Sequence, residues 1–306
     1  MYSFIQSSRF PMLKNNTRLL IFTFISVIGY IVLGYFTSRE NTSVLFLLYL
    51  SLFAAYIGAW HTVEASNLKK YLLIAIGLRL LFVFSMPFLS DDIYRFIWDG
   101  RLLMNGISPF AALPMDYITD QRAISAIDTS LYQLLNSPAY FTVYPPLSQF
   151  VFWFAAIASP KSVFGSVLVI RMLIIIAEIG SIIVMTKLLK YYKLPSKNIL
   201  LYALNPLVIL ELTSNLHFEA FVIFFLVLAL HLFHKHQTVR AGISWSIAIG
   251  FKLIPLIFLP LMIRRLSFKK QIALYLTIAV FTILLFIPLY DEALITGLSS
   301  SLTLYF

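Results

Sequence analysis

Residues 90–101 read Ser-Asp-Asp-Ile-Tyr-Arg-Phe-Ile-Trp-Asp-Gly-Arg, placing three carboxylates and two arginines together in a chain with only 12% charged residues. A carboxylate held at such a place can take the proton of a hydroxyl group as its oxygen attacks an electrophilic carbon, the work of a general base. Asp91, Asp92 and Asp99 are the carboxylates of this segment that could take that role. Read as a helix over 91–104, Ile93, Phe96, Ile97, Gly100 and Met104 share one stripe, and Asp91, Asp92, Arg95 and Asp99 fall off it. Arg95 can reach Asp91 or Asp99 at four-residue spacing. Ser90 is the expected N-cap, and acids in a first turn suit the helix dipole. That leaves a bland alternative, a capped interfacial helix whose charges are only solvated. The interleaved Tyr94, Phe96 and Trp98 weigh against it, because aromatic rings beside the acids would hold bulk water away.

Four further places could serve the same chemistry. Tyr144-Pro145-Pro146-Leu147-Ser148-Gln149 starts an apolar helix with proline where proline is tolerated, and would press Tyr144 and Gln149 toward the acidic segment. Lys252 stands in the apolar run Ala248 to Pro260, and a cation inside a membrane segment is a functional hypothesis by default. It can hold a phosphate as a point charge, or pair internally with Glu211 or Glu178. Arg171 suits a phosphate contact as well, or pairs with Glu178 seven residues on; Arg79 is expected to pair within the bundle. His217 and Glu219 are candidate wall residues. Trp98 and Asp99 join Arg95, Tyr144, Arg171, His217, Glu219 and Lys252 as substrate-binding candidates. No phosphate-binding glycine loop is present, and with no cysteine neither a disulfide framework nor a thiolate metal site can form.

The elements that must position these residues are membrane helices. Apolar residues make up 60% of the 306, and mean hydropathy is +0.88. Runs near the roughly 20 residues needed to span occur at 19–37, 43–60, 71–89, 163–187, 219–234 and 270–289, with a shorter one at 198–213. Residues 240–264, interrupted by Lys252 and Pro255, read as two short helices in a hairpin, for about nine membrane helices in an all-α polytopic bundle. The first run reads as an uncleaved signal anchor. Basic residues orient the chain. With the N-terminus in the cytoplasm, fifteen lie inside: Arg9, Lys14, Arg18, Lys69, Lys70, Lys187, Lys190, Lys193, Lys197, Lys235, Arg240, Arg264, Arg265, Lys269 and Lys270. Five lie outside: Arg39, Arg95, Arg101, Arg122 and Lys161. This split, and not nucleic-acid binding, accounts for the net charge of +10. The outer side then carries one large loop, 90–162, in which the 14 apolar residues 146–159 are too few to cross and are expected to lie at the interface. The chain ends at Phe306 without a polar tail and reads as C-terminally truncated.

Four segments in order, SDDIYRFIWDGRLLMNGISPF, VYPPLSQ, ALNPLVILELTSNLHFEA and GFKLIPLIFLP, resemble the GT-C membrane glycosyltransferases, in particular the bacterial polyprenol-phosphate-mannose-dependent mannosyltransferases. The resemblance spans about 85–264. It implies inverting transfer of a sugar, mannose above all, from a polyprenyl-phosphate donor to a glycan or glycolipid acceptor at the outer face of the bacterial inner membrane. It implies a catalytic Asp in the first outer loop, here Asp91 or Asp92, juxtamembrane helices at 91–104 and 146–159, and Lys252 near the donor phosphate, with Arg171 beside it. Where many relatives carry a Gly-His-x-Asp-like element, this chain has Asn215-Leu216-His217-Phe218-Glu219. No cofactor is expected and the transfer is read as metal-independent, with a divalent cation left open. Membrane lipid is the remaining partner, and nucleic acid is not one. The rival reading is a transporter or flippase of a lipid-linked sugar; it leaves the long acidic loop without a purpose, and transporters commonly show an internal repeat, which is not visible here.

Overall fold

The computed structural model describes residues 15–120, 124–263, 267–290 and 292–305. Arg9, Lys14, Arg122, Arg264 and Arg265, counted above for orientation, lie outside the described residues. Among the described residues every regular element is helical. The long apolar runs become α1 (Asn15–Tyr35), α2 (Thr42–Thr62) and α3 (Leu68–Leu80). The polar-rich segment after them folds into α4 (Asp92–Met104), α5 (Pro114–Thr119), α6 (Thr129–Gln133) and α7 (Pro146–Ala158). α8 (Val163–Tyr191) follows, then a broken stretch with α9 (Leu200–Ala203), α10 (Pro206–Val208) and a π-helical turn, Ile209–Ser214. The chain closes with α11 (Glu219–His234), α12 (Thr238–Phe251), α13 (Phe268–Phe286) and α14 (Glu292–Tyr305).

Four of these helices are long and apolar enough to cross a membrane, and a fifth span forms if Pro206–Ser214 and α11, bent by 116° at their break, count together. The shortfall from nine has local causes. α3 stops at Leu80, nine residues before the expected end, and unwinds into turns ahead of Pro87. The expected helix at 198–213 is interrupted at Pro206, where Asn205 caps the restart by accepting from the Leu207 amide at 3.0 Å. The expected hairpin over 240–264 is α12 followed by extended backbone at Lys252 and then a 3₁₀ run, Ile254–Met262, containing Pro255 and Pro260. Proline removes the amide a continuing α-helix needs. α14 has no counterpart in the sequence reading, because its Ser and Thr content gives no clear apolar face.

Burial is inverted relative to a water-soluble bundle. Two strongly apolar spans are largely exposed, with 11% of the window buried in the span of α13 and 17% in α2, while α8, as apolar as α13, is 56% buried. Meanwhile Arg79, Arg171 and Glu178 are fully enclosed. Contiguous apolar surface of that kind is at home in hydrocarbon rather than water, while inward-facing charges pair with each other. Arg79 Nη2 lies 2.9 Å from Glu178 Oε1, which settles the partner of both as each other, and Thr213 donates to the same glutamate.

α4 and α7 form the platform under the polar segment. Phe96 stacks on Phe152 with ring centroids 4.6 Å apart, and Phe218 and Tyr144 close edge-on. A Cβ on Gly100 would lie 2.2 Å from the Phe152 carbonyl oxygen, so only glycine permits this approach. Both α4 and α7 are 13 residues long. Phe96 and Trp98 are therefore core residues turned away from the acids rather than shields over them.

Candidate active site

Five chain segments meet at the start of α4. The α1–α2 connection brings Arg39, whose guanidinium lies 2.5 Å from Asp91 Oδ2. The N-cap position falls on Asp91 and not Ser90; no side chain caps the helix there, although the Asp92 amide donates to Ser90 Oγ at 3.4 Å. Among the described residues Asp92 has no cation within salt-bridge distance other than the His217 ring, whose Nε2 lies 3.8 Å from Oδ2. Its Oδ1 accepts from Asn136 Nδ2 at 2.9 Å. The two neighbours are thus differently employed, Asp91 in an ion pair and Asp92 at the wall of a cavity.

That cavity measures about 150 Å³ and is lined by Asp92, Arg95, Tyr140, Thr142, Tyr144 and their neighbours. Its floor is a buried network. Arg95, four residues before Asp99, donates to Asp99 Oδ1 at 2.8 Å and to the Ser137 and Tyr140 carbonyls at 3.2 and 2.9 Å. Gln149 Nε2 donates to Asp99 Oδ2 at 3.0 Å and to Thr142 Oγ1 at 3.1 Å. Arg95 and Asp99 thereby clamp the 137–142 segment onto α4 and α7, and each has its partner inside the protein. Trp98 is fully buried among Tyr117 and Tyr132. Tyr144 shares the cavity wall. Its phenol is pushed well above the usual range, first by burial and then by the charges of Asp92, Asp99 and Glu219 against the opposing Arg95, so it is a hydrogen-bond donor at any physiological pH.

A second group of charges comes from the break before α11 and meets the first at Asp92, where the His217 ring approaches. His217 Nδ1 lies 3.2 Å from Glu211 Oε2, and Asn215 Nδ2 donates to the same oxygen at 3.1 Å. Glu219 begins α11 and receives Lys252 Nζ at 2.5 Å from the end of α12. Lys252 is thus paired with Glu219, not with Glu211 or Glu178, and remains about a quarter exposed, at 27%. Arg171 is placed elsewhere. It is fully buried and donates to the carbonyls of Thr213, Val83, Ser85 and Ser214 at 3.0, 3.4, 2.5 and 3.0 Å, so the expected phosphate contact and the pairing with Glu178 are both replaced by backbone. Below the cavity, an apolar groove of about 370 Å³ runs between α4, α7 and α13, lined by Leu103, Leu147, Trp153, Leu284 and Leu289 with Gln149 at its edge. Among the described residues no three His, Asp or Glu side chains gather as a metal-ligand set.

The arrangement brings together Asp91, Asp92, Arg95, Asp99, Tyr144, His217, Glu219 and Lys252. Sequence reading missed Arg39, Asn136 and the role of Glu211. Arg39 and Asn136 are polar residues of short connections, 52 and 44 residues from their partners, and nothing local marks them. Chemically, the site offers one carboxylate and a phenol donor at a cavity, with an imidazole beside that carboxylate and a lysine paired with the nearby Glu219.

No curated protein and no solved structure matches the chain. Its sequence does match a family model, described as "Alpha-(1->6)-mannopyranosyltransferase, N-terminal domain", over residues 22–267, which takes in all of α2 to α12 and every residue of the site. The protein belongs to this family of mannosyl-transferring glycosyltransferases.

Proposed function

We propose that the protein transfers a mannosyl unit, with inversion, from a polyprenyl-phosphate donor to a hydroxyl of a glycan or glycolipid, Asp92 acting as the base. The observation that carries this is the contrast between the adjacent carboxylates: Asp91 sits on Arg39, while Asp92 lines the cavity with only an amide donor and an imidazole beside it. In the step, the acceptor O–H gives its proton to Asp92 as its oxygen forms the bond to the anomeric carbon. The bond from that carbon to the phosphate oxygen breaks, and its electron pair leaves with the polyprenyl phosphate. Lys252 is the group available to stabilise the growing phosphate charge, exchanging Glu219 for the ligand. Tyr144 can donate to a sugar hydroxyl, while Arg95, Trp98 and Asp99 support the wall.

The apolar groove beside Gln149 supports a donor with a hydrocarbon tail, since its dry lining suits prenyl units and not a nucleotide. The inside-positive charge split supports a cytoplasmic N-terminus, a multi-pass arrangement in the bacterial inner membrane with the shorter helices completing about nine, and a site opening outward. Membership of a mannosyltransferase family does not favour the transporter reading. The test is transfer of labelled mannose from polyprenyl phosphate mannose by the purified protein. Asp92→Asn is expected to lower the rate by about 10²–10⁴-fold, the range of a lost general base, at unchanged membrane level. Near-wild-type turnover by that variant rules out Asp92 as the base.

A further inference from the structure

We propose that Glu211 is a positioning residue for the transfer reaction, acting through His217 to present an N–H to Asp92. The inference rests on the reading of Asp92 as the base. The geometry is a chain of three groups. Glu211 Oε2 faces His217 Nδ1 at 3.2 Å, and His217 Nε2 faces Asp92 Oδ2 at 3.8 Å and Ser90 Oγ at 3.5 Å. A carboxylate at Nδ1 fixes the proton on that nitrogen and so decides what Nε2 can do. With the ring charged, Nε2–H points a donor at Asp92. With the ring neutral, Nε2 turns a lone pair toward a carboxylate oxygen and repels it.

The backbone that sets up this chain is unusual at two points. Glu211 lies in the π-helical turn Ile209–Ser214, and Leu216 has φ of +63°. π-turns are rare and recur at functional sites, and a leucine at positive φ is strained backbone that persists only where the surroundings hold it. Both features fall between Glu211 and His217 and turn the two side chains toward each other across five residues. Asn215 braces the carboxylate, and the Tyr49 phenol of α2 lies near it.

The charged groups facing the imidazole come from three elements: Asp92 from α4, Glu211 from its own turn, and Glu219 from α11. Lys252 faces Glu219 and Arg39 faces Asp91. Burial opposes the charged ring most strongly, but the Glu211 hydrogen bond and the charges of Glu211, Glu219 and Asp92 outweigh it, and His217 is raised above the usual imidazole value. The residue lies between the two halves of the bent helix pair. The imidazolium is present below the raised pKa and is lost as pH rises through it, so the transfer rate falls on the alkaline side.

The test follows the rate of mannose transfer from polyprenyl phosphate mannose against pH, using the full chain in detergent. Wild type is expected to show an alkaline limb above pH 6.5, the ordinary imidazole value. Glu211→Gln moves that limb to lower pH, because burial then opposes the charged ring with less compensation, whereas Glu211→Asp, which keeps the charge, leaves it in place at a lower rate. A limb unmoved by Glu211→Gln overturns the proposal, since a purely structural role lowers the rate at every pH alike. A second readout needs no donor: the side-chain titration of His217 by NMR with labelled histidine, its signal assigned by its loss in His217→Asn. The midpoint is expected to fall in Glu211→Gln and, with Glu211 untouched, in Asp92→Asn; an unchanged midpoint in both overturns the proposal. A raised midpoint in a wild-type protein that transfers no mannose supports the Glu211–His217 contact and overturns the donor assignment instead.

Discussion

Replacing Gly100 by alanine separates the packing of the platform from the chemistry above it. In an unconstrained helix the change gains about 1 kcal/mol through helix propensity. Here the added Cβ falls 2.2 Å from the Phe152 carbonyl oxygen and 2.6 Å from its carbon. Ordinary contact begins at 3.4 Å, so α4 and α7 must part by about 1.2 Å (3.4 − 2.2). The obstacle is backbone in the middle of a helix, which has no rotamer through which to yield. Overpacking of a close-packed interface costs typically about 1–3 kcal/mol, and the propensity gain offsets only part of that. The movement matters more for rate than for stability. Asp92 sits two turns along the same helix, and Gln149, the link between the α7 platform and Asp99, sits one turn from Phe152. A displacement of about 1 Å in a reacting group can cost about 10²-fold in rate. Gly100→Ala is therefore expected to lower mannose transfer about 100-fold while the thermal midpoint in detergent falls by only a few degrees. The assay pairs initial transfer rates with a thermal melt of the same preparation. Wild-type rates from a stable Gly100→Ala protein would refute the coupling of helix separation to the site.

Other substitutions test individual contacts. Asp91→Asn and Arg39→Ala are expected to retain most transfer activity and to change stability by under about 1 kcal/mol, the scale of an exposed ion pair; loss of activity in Asp91→Asn alone would exchange the roles of the two carboxylates. Lys252→Ala is expected to raise the KM for the lipid donor more than it lowers kcat, and an unchanged donor KM would place the phosphate elsewhere. Gln149→Leu, which keeps the volume but removes the donor shared by Asp99 and Thr142, is expected to lower kcat through loss of the 137–142 clamp; a melt and a rate both equal to wild type would discount that network. Arg79→Ala leaves Glu178 buried without its cation, a change worth about 3–5 kcal/mol, and is expected to be seen as reduced protein level in membranes; full accumulation of that variant would contradict the pairing.

The parts of this molecule visible in its sequence are those written in local patterns. α1, α2, α8, α11 and α13 follow from uninterrupted apolar runs, and α4 from a stripe at helical spacing ahead of clustered acids. The pairing of Arg95 with Asp99 was one of two partners offered by four-residue spacing, and tertiary contacts with Ser137 and Tyr140 chose between them. Long-range partners left no such trace. Lys252 was visible as a cation in an apolar run, yet its counter-ion is 33 residues away across a helix hairpin, and both glutamates weighed for it were engaged elsewhere. Arg171 was misleading for a physical reason: intramembrane charge marks function on average, but backbone carbonyls freed by helix breaks attract the same kind of residue. Of the helix breaks, the one at Pro255 is legible in the sequence, while those at Pro206, at the end of α3 and at the π-turn are not.

The guanidinium of Arg171 joins two breaks in the backbone that lie far apart in the chain. It holds the Val83 and Ser85 carbonyls beyond the ragged end of α3 together with the Thr213 and Ser214 carbonyls at the end of the π-turn. In hydrocarbon such carbonyls have no water to fall back on. The Val83 and Ser85 carbonyls are met by a residue 88 and 86 positions further along the chain, on α8. The π-turn that carries Glu211 is thus tied through one guanidinium to the end of α3, so a change at Arg171 reaches the His217 side of Asp92 without touching it.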